Sequence, residues 1–313
     1  MSNLTHFTHF TLTAYLDLGM FRYLVFLVLL VLYVLTLTSN LLLISVIILN
    51  RTLAEPMYLF LCSLFLSELY GSTMLFPMLL RHVLQQLHQI SVSFCFLQIY
   101  CLHSYATTEY LNLAVLAYDR YIAICFPLQY HSHMSRDRIM KLIMSTWLYG
   151  LLGVVQTLCI TTSLKLCNNV ISKVYCDNYS VVRLACSDVS IINIHGLTWT
   201  FVTIVTPFIF TMYTYLCILR VCFSGSKSVR QKALSTCLPH LVTLTNFTIG
   251  GSFELVQSRF NMNGVPVALR VFLSLYCISS QPLISPLIYG FKISKLRSLC
   301  KGLLIARLHG IDQ

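Results

Sequence analysis

The sequence predicts an all-α membrane protein whose fold is a seven-transmembrane helix bundle. Apolar residues make up 57% of the 313 residues and charged residues only 10%, whereas about a quarter of the residues in soluble domains are charged. The apolar residues occur in seven long blocks, each near or above the roughly 20 residues with which a helix crosses the hydrocarbon layer. A transmembrane β-barrel would instead show short segments of alternating hydrophobicity.

The seven predicted spans divide the chain into three parts. The spans cover residues 21–49, 57–80, 94–118, 139–162, 193–222, 235–257 and 267–290. We therefore expect an N-terminal segment at 1–20, a seven-helix domain at 21–290 and a tail at 291–313. In the tail, "KISKLRSLCKGLL" (292–304) combines basic and apolar residues, which predicts a short amphipathic helix on the membrane surface. No cleavable signal peptide is expected, because the first apolar block is too long for an h-region.

Basic residues predict the orientation of the bundle. If the N-terminus lies outside, most of the 21 Lys and Arg residues fall in cytoplasmic segments, as the positive-inside rule expects. The net charge of +11 is then explained by topology and by contact with anionic membrane lipid, and we expect no nucleic-acid partner. In this orientation the sequons at Asn3 and Asn178 face outward and are candidate glycosylation sites of a multi-pass plasma-membrane protein.

Cysteines in the predicted outer segments indicate disulfides. Four of the 13 cysteines lie at the outer end of span 3 or in the loop between spans 4 and 5, where the compartment is oxidising. These four are Cys95, Cys167, Cys176 and Cys186. Four cysteines allow three pairings, so spacing alone leaves the connectivity open.

Two acidic residues lie in the middle of predicted spans. Glu68 is in span 2 and Glu109 in span 3, while span 1 adds Asn40 and span 7 adds Ser285. Carboxylates at bilayer depth usually face the bundle interior and mark ion or proton pathways. A candidate sodium site and a pair that is simply protonated and hydrogen-bonded both stay open. An ion-coupled transporter could use the same acids, but the sequence lacks the internal repeats typical of transporters.

The stretch "LAYDRYIAICFPLQY" (116–130) places Asp119 beside Arg120 where an apolar run ends. Charged side chains near a bilayer are costly and are normally kept for function. Since breaking a buried ion pair costs several kcal/mol, such a pair can hold one of two helix arrangements.

Five motifs carry a resemblance to a known family. They are "EPMYLFLCSLFLSE" (55–68), "LAYDRYIAICFPLQY", "LACSD" (184–188), "KALSTCLPHL" (232–241) and "PLISPLIYG" (282–290). The chain resembles rhodopsin-like G-protein-coupled receptors, and within that class odorant receptors, over nearly its whole length. It departs from the family pattern at Glu68, where Asp is usual, at Pro239, where Ser is common, and at Ser285, where Asn is usual.

The resemblance implies an odorant-activated receptor that couples to a stimulatory, olfactory-type G protein and raises cyclic AMP. Asp119, Arg120 and Tyr121 would form the switch, while Tyr215 and Tyr289 resemble the tyrosines that line the cavity opened when span 6 swings outward. A receptor of this kind is not an enzyme and needs no cofactor beyond the candidate sodium ion. A non-olfactory chemosensory receptor is the alternative. The resemblance also implies the disulfides Cys95–Cys176 and Cys167–Cys186, which would hold the second outer loop as a lid.

The predicted ligand is a small molecule bound among spans 3, 5 and 6 and the second outer loop. Span 7 contains no Lys for a retinal Schiff base, and the outer half of span 3 contains no acid for an amine ligand. A mixed wall of apolar and small polar groups fits a small-ligand pocket. The expected wall is Leu102, His103, Ala106, Thr107, Trp199, Thr203, Gly251, Ser252, Leu255 and Arg259.

One wall residue points to a ligand class. Arg259 follows Leu255 by one turn and Ser252 by two, so helical spacing places it on the pocket stripe. A guanidinium there could bind a carboxylate bidentately, which predicts an acidic, water-soluble ligand with His103 as a second polar contact. In the alternative, Arg259 reaches the lipid headgroups or pairs with Glu254.

Overall fold

The computed structural model describes residues 7–15, 19–224, 227–259 and 264–309, and these residues are mostly helical. The helices are α1 (Phe21–Leu49), α2 (Pro56–Leu84), α3 (Val92–Cys125), α4 (Tyr130–His133), α5 (Arg136–Thr162), α6 (Asn178–Val182), α7 (Ser190–Thr200), α8 (Thr206–Ser224), α9 (Lys227–Arg259), α10 (Val267–Lys292) and α11 (Ser294–His309). A π-helical turn, Phe201–Val205, joins α7 to α8, and 3-10 turns at Arg51–Leu53 and Pro127–Gln129 follow α1 and α3.

Each of the seven predicted spans lies on one of these helical segments within the described part of the chain. Five segments are long and apolar enough to cross a membrane, namely α1, α2, α5, α10 and the continuous stretch Ser190–Ser224. Counting α3 with the bent helical turns that follow it gives six among the residues described. The helix α9 does not reach this threshold, because Ser, Thr, Asn and His interrupt its apolar residues between 235 and 257. The architecture is therefore consistent with a seven-helix bundle.

Local chemistry fixes where several helices begin. Pro56 occupies the first turn of α2, where its missing N–H costs nothing. The hydroxyl of Ser91 accepts a hydrogen bond from the Phe94 amide at the start of α3. In the same way the hydroxyl of Ser135 caps α5 through the Arg138 amide. Each cap satisfies an amide that the helix itself leaves unpaired.

The helix α3 is the axis of the bundle and packs against α2, α5, α8 and α9. Its 34 residues span about 50 Å at 1.5 Å per residue. We call the end that carries Cys95 the disulfide end and the end that carries Arg120 the switch end. One buried cluster, which includes Phe60, Leu64 and Tyr289, fills the half of the bundle toward the switch end, and a second lies at the disulfide end.

A small sheet covers the disulfide end and was not predicted from the sequence. Strand β1 (His9–Leu12) lies between β2 (Gln89–Ser91), to which it is antiparallel, and β3 (Val170–Ile171), to which it is parallel. Phe10 and Leu12 of the central strand are almost fully buried in the cluster around Cys95. The N-terminal segment is therefore partly a structural element of this end, and strands of two to four residues are too short for a period to reveal them.

Candidate functional site

A cavity of about 230 Å³ lies near the disulfide end, between α3, α5, α7, α9 and the loop that precedes α6. On α3 it is lined by Leu102, His103, Ala106 and Thr107, which the helical repeat brings to one face. Tyr110 continues this face at the floor of the cavity. A Cβ atom on Gly251 of α9 would lie 2.7 Å from the Tyr110 hydroxyl. Glycine at this position therefore lets α9 approach α3 closely.

The structure brings nine of the ten predicted wall residues to this cavity. Besides the four on α3 these are Trp199, Thr203, Gly251, Leu255 and Arg259. The prediction was wrong for Ser252, whose side chain is exposed and does not line the cavity. The lining positions on α9 are 247, 251, 254, 255, 258 and 259, which follow the helical stripe of three- and four-residue steps. Ser252 is one position off that stripe.

The loop over the cavity is held by two disulfides, Cys95–Cys176 and Cys167–Cys186, the pairings that the resemblance implied. The first ties the loop to α3, and next to it the side-chain oxygen of Gln98 accepts a hydrogen bond of 2.9 Å from the Cys176 amide. The short helix α6 follows, and the carboxylate of Asp177 caps it by accepting from the Ser180 amide and hydroxyl. The loop is thus a fixed wall of the cavity.

Three charged side chains in this wall form an ion-paired group that sequence reasoning missed. The Lys173 ammonium contacts the Glu254 carboxylate and lies 3.0 Å from Asp177 Oδ2. Burial opposes the charge of Lys173, but the two carboxylates outweigh it and hold its pKa above the ordinary value. Burial likewise works against the Asp177 carboxylate, yet Lys173 and the Ser180 hydroxyl hold its pKa below the ordinary value. Lys173 and Asp177 are therefore both charged near neutral pH.

Arg259 lines the cavity, and within the described ranges it has no carboxylate partner. Its Nη1 atom donates to Asn193 Oδ1 at 3.2 Å, and its guanidinium carbon lies 4.2 Å from the centre of the Tyr179 ring. Nε is buried and has no hydrogen-bond partner among the described residues. The alternative in which Arg259 pairs with Glu254 is wrong, because the two side chains form no ion pair in the structure and Glu254 instead contacts Lys173.

One of the two candidate glycosylation sites, Asn178, lies on a helix of the described chain. Asn3 lies outside the described residues. Asn178 is the first residue of α6 and is half-buried at the cavity wall. Its side-chain oxygen accepts a hydrogen bond of 2.8 Å from the Thr161 hydroxyl.

The buried acids lie in the middle of the bundle. Glu109 accepts hydrogen bonds from Ser67 at 2.7 Å and from Gln281 at 3.3 Å. Glu68 is fully buried and interacts electrostatically with Glu109. Within the described part of the chain, no hydrogen bond of good geometry reaches either oxygen of Glu68 or the hydroxyl of Ser285.

The amide of Asn40 completes this region. Its nitrogen donates to the Thr36 and Pro282 carbonyls at 2.9 and 2.8 Å, whereas its oxygen is buried without a partner among the residues described. The buried oxygens of Glu68, Ser285 and Asn40 that lack hydrogen-bond partners among the described residues are of the type that binds a proton or a hard cation. Among the described residues, no cluster of three or more His, Cys, Asp and Glu is placed to hold a metal ion.

At the switch end, Asp119 and Arg120 form the predicted pair. Arg120 Nε donates to Asp119 Oδ2 at 2.9 Å, and Nη2 contacts the same oxygen. The side chain of Asp119 is fully buried and that of Arg120 is 11% exposed. The second oxygen of Asp119 accepts a hydrogen bond of 2.7 Å from the Tyr130 hydroxyl. Tyr130 was not predicted as a site residue, although it ends the motif that contains Asp119.

Two predicted tyrosines are buried deeper at this end. The Tyr289 hydroxyl lies 2.9 Å from His240 Nδ1 and 3.0 Å from the Thr243 hydroxyl, which joins α10 to α9. Tyr215 of α8 is 4% exposed, and its hydroxyl has no hydrogen-bond partner among the described residues. Tyr121 is half-buried and packs edge-on against Phe126.

Known proteins are similar in sequence to this chain over most of its length. A family model described as olfactory receptor matches residues 29–307. Human olfactory receptor 10A6 is 34% identical over 278 residues, 87% of this chain and 86% of that protein. Human olfactory receptor 11A1 is 35% identical over 97% of this chain and 96% of its own length. Mouse olfactory receptor 6E1 is 31% identical over 96% of each chain.

These matches agree with the helical bundle, the cavity near one end and the paired charges at the other. The chain belongs to the olfactory receptor family and is therefore a multi-pass plasma-membrane receptor for a small-molecule odorant, coupled to a G protein and not an enzyme.

Proposed function

We propose that a ligand bound in the cavity activates a stimulatory, olfactory-type G protein and so raises cyclic AMP. The observation that carries this proposal is the placement of both sites on one helix. The cavity wall on α3 includes Leu102, and the charged pair stands at Asp119 and Arg120. Seventeen residues of helix separate Leu102 from Asp119, which is about 25 Å. The same helix thus carries the ligand wall and the coupling switch.

The proposed topology places the disulfide end outside and the switch end in the cytoplasm. Residues 1–20 form the outer N-terminal segment, residues 21–290 the receptor domain and residues 291–313 a cytoplasmic tail. Disulfides need an oxidising compartment, and both lie at the same end. Helix α11 follows α10 directly, and its apolar Leu296 is buried while Arg297 is exposed. This pattern fits a helix that lies on the inner membrane surface against anionic lipid.

The switch works through release of Arg120. In the resting receptor Asp119 neutralises Arg120, and breaking this buried pair leaves both charges unsatisfied unless a new partner appears. Movement of the inner half of α9 would open a cavity beside Tyr215 and Tyr289, in which Arg120 meets the G protein. Basic residues of the inner loops and tail would complete the coupling face.

The test of coupling is Arg120→Ala. We expect ligand-evoked cyclic AMP to be lost while surface expression is kept. Arg138→Ala is the comparison variant, because the Arg138 side chain lies near the same end and donates to the Tyr118 hydroxyl at 3.3 Å; it removes one basic charge of the coupling face without touching the Asp119–Arg120 pair and should weaken the signal without abolishing it. Normal signalling by Arg120→Ala would remove this residue from the mechanism.

The proposed ligand carries an acidic group and is water-soluble. Lys173 is already matched by two carboxylates, whereas Arg259 brings a positive charge to the wall without one among the described residues. The acids in the wall offer little to a cation, because Glu254 accepts from Lys173, Tyr175 and Ser274. A ligand carboxylate would satisfy Arg259, with His103 as a second polar contact across the cavity.

Matched arginine variants test this ligand class. Short carboxylic acids, amino acids and uncharged odorants are screened on the parent, on Arg259→Leu and on Arg183→Leu. Arg183 is the control because its guanidinium also faces the Tyr179 ring, at 5.3 Å, but does not line the cavity. We expect acids to activate the parent and Arg183→Leu but not Arg259→Leu. Activation of the parent by uncharged odorants alone would refute the acidic ligand.

The buried acids are proposed to hold a sodium ion or a proton between Glu68 and Glu109, with Asn40 and Ser285 as further oxygen ligands in the sodium case. Support comes from the oxygens of Glu68, Asn40 and Ser285, which are buried without hydrogen bonds of good geometry in the described part of the chain. Either ion would lower the cost of burying two carboxylates side by side.

A further inference from the structure

The loop next to the first disulfide sends a lysine into the bundle. Lys173 is only 7% exposed, and a buried ammonium is costly unless it is paired. Its Nζ atom donates to Glu254 Oε1 on α9 and also lies 3.0 Å from Asp177 Oδ2 in the loop. The lysine therefore joins the loop to α9 by a charge-assisted contact.

The Glu254 carboxylate extends this connection to a third element. Oε1 also accepts a hydrogen bond of 2.6 Å from the Tyr175 hydroxyl, and Oε2 accepts one of 2.7 Å from the Ser274 hydroxyl on α10. Ser274 is 2% exposed. One carboxylate of α9 is thus held by two loop residues and by α10.

The loop side of the connection is itself fixed. Tyr175 precedes Cys176, which is bonded to Cys95 of α3. Residues Val170 and Ile171, just before Lys173, pair with β1 in the sheet. The disulfide and the sheet therefore leave the loop little freedom to follow α9 if that helix tilts.

We propose that Lys173, Asp177 and Glu254 form an outer latch that holds α9 against the loop and α10 in the resting arrangement. This inference rests on the proposed function, in which the far end of α9 swings outward on activation. Glu254 lies 14 residues from His240, about 21 Å along the helix. The stretch from His240 to Glu254 contains no proline, so it moves nearly as one rod and a tie at Glu254 restrains His240.

The latch also lies where a ligand can reach it. Lys173, Asp177 and Glu254 all line the cavity. A bound molecule that shifts either partner weakens the tie, and the energy of that contact then favours the arrangement in which α9 has moved. The latch thus gives ligand binding a direct mechanical route to α9.

The first experiment measures ligand-independent cyclic AMP per receptor at the cell surface. Glu254→Gln and Lys173→Gln each remove one charge, and Ser274→Ala removes the hydroxyl that donates to Glu254, with less risk to folding. We expect basal signalling to rise about five- to tenfold in the charge variants, at the lower end of typical allosteric couplings, and less in Ser274→Ala. The double variant Lys173→Gln/Glu254→Gln is expected to match the single variants, because both act on one interaction.

The second experiment does not depend on signalling. Hydrogen–deuterium exchange of the purified receptor should increase in the loop around 172–177 and at the outer end of α9 in Glu254→Gln. Asp188→Asn is the control, since Asp188 is in the same loop but its carboxylate accepts from the Ser190 amide and hydroxyl and does not line the cavity. Unchanged exchange in Glu254→Gln would overturn the latch, as would raised exchange with unchanged basal signalling. If the parent raised no cyclic AMP at all, the proposed function would fail while exchange still decided whether the tie exists.

Discussion

Removal of one hydroxyl at the switch end should raise the resting activity of the receptor. In the structure Tyr130 donates to Asp119 Oδ1 at 2.7 Å, while Arg120 occupies Oδ2. The substitution Tyr130→Phe keeps the ring and deletes only this donor. Asp119 then loses one of the groups that hold its carboxylate toward Arg120, so the resting arrangement loses stability relative to the active one.

The size of the effect follows from the bond and its surroundings. A hydrogen bond to a charged group contributes about 1.5–3 kcal/mol. Tyr130 is half-buried, so water can replace part of the lost contact, and about 1 kcal/mol is a fair expectation. That amount changes an equilibrium constant by about fivefold. A receptor that is about 1% active at rest would then be about 5% active.

The assay is basal cyclic AMP in cells, normalised to surface receptor. Tyr118→Phe is the matched control, because it deletes a tyrosine hydroxyl that accepts from Arg138 and does not touch Asp119. We expect a rise of a few-fold for Tyr130→Phe and none for Tyr118→Phe. Equal or lower basal activity in Tyr130→Phe at normal surface level would refute the role given to this hydrogen bond.

Three further predictions concern ions, sugar and pH. If the buried acids hold sodium, Glu109→Gln weakens the sodium dependence of the ligand response, whereas equal dependence favours a protonated pair. If the N-terminus is outside, glycosidase treatment removes a mobility shift that depends on Asn3 or Asn178, and a shift lost in neither variant contradicts this. The pKa of His88 is lowered by burial and by Arg22, so the folded protein holds this histidine in its neutral form. Above about pH 6.5, where an unperturbed histidine is also neutral, this costs nothing; as the pH falls below that value, the folded state loses stability relative to the unfolded chain. Thermal stability should therefore drop more between pH 7.5 and 5.5 in the parent than in His88→Gln; equal drops would exclude His88 as the cause.

The spans and most of the cavity wall could be predicted because both depend on helical periodicity. A membrane helix is set by its own residues, and its inward face recurs every three to four residues. The error at Ser252 is a single step off that stripe. The π-helical turn Phe201–Val205 was not predicted, since no Pro or Gly interrupts that stretch.

The latch could not be predicted, because nothing local defines it. Lys173 and Glu254 are 81 residues apart in sequence, and the loop that carries Lys173 has no helical period that would point the side chain inward. The disulfide at Cys176 and the pairing of β3 with β1 determine its direction. The sequence alone predicts that a lysine in an outer loop is exposed to solvent, whereas Lys173 is buried between two carboxylates.

Pro239, the departure from the family pattern that lies on α9, bears on how the two ends of the receptor communicate. Pro239 stands inside the helix, where a proline removes one backbone hydrogen bond and weakens the turn before it. The neighbouring His240 is held by Tyr289, and the Thr243 hydroxyl donates to the Pro239 carbonyl at 3.1 Å. The segment of α9 before Pro239, toward the switch end, can therefore tilt relative to the segment after Pro239, which carries Glu254. A movement that begins at the latch would reach the switch end as a bend at this proline, while the contacts of His240 hold the resting position until the latch opens.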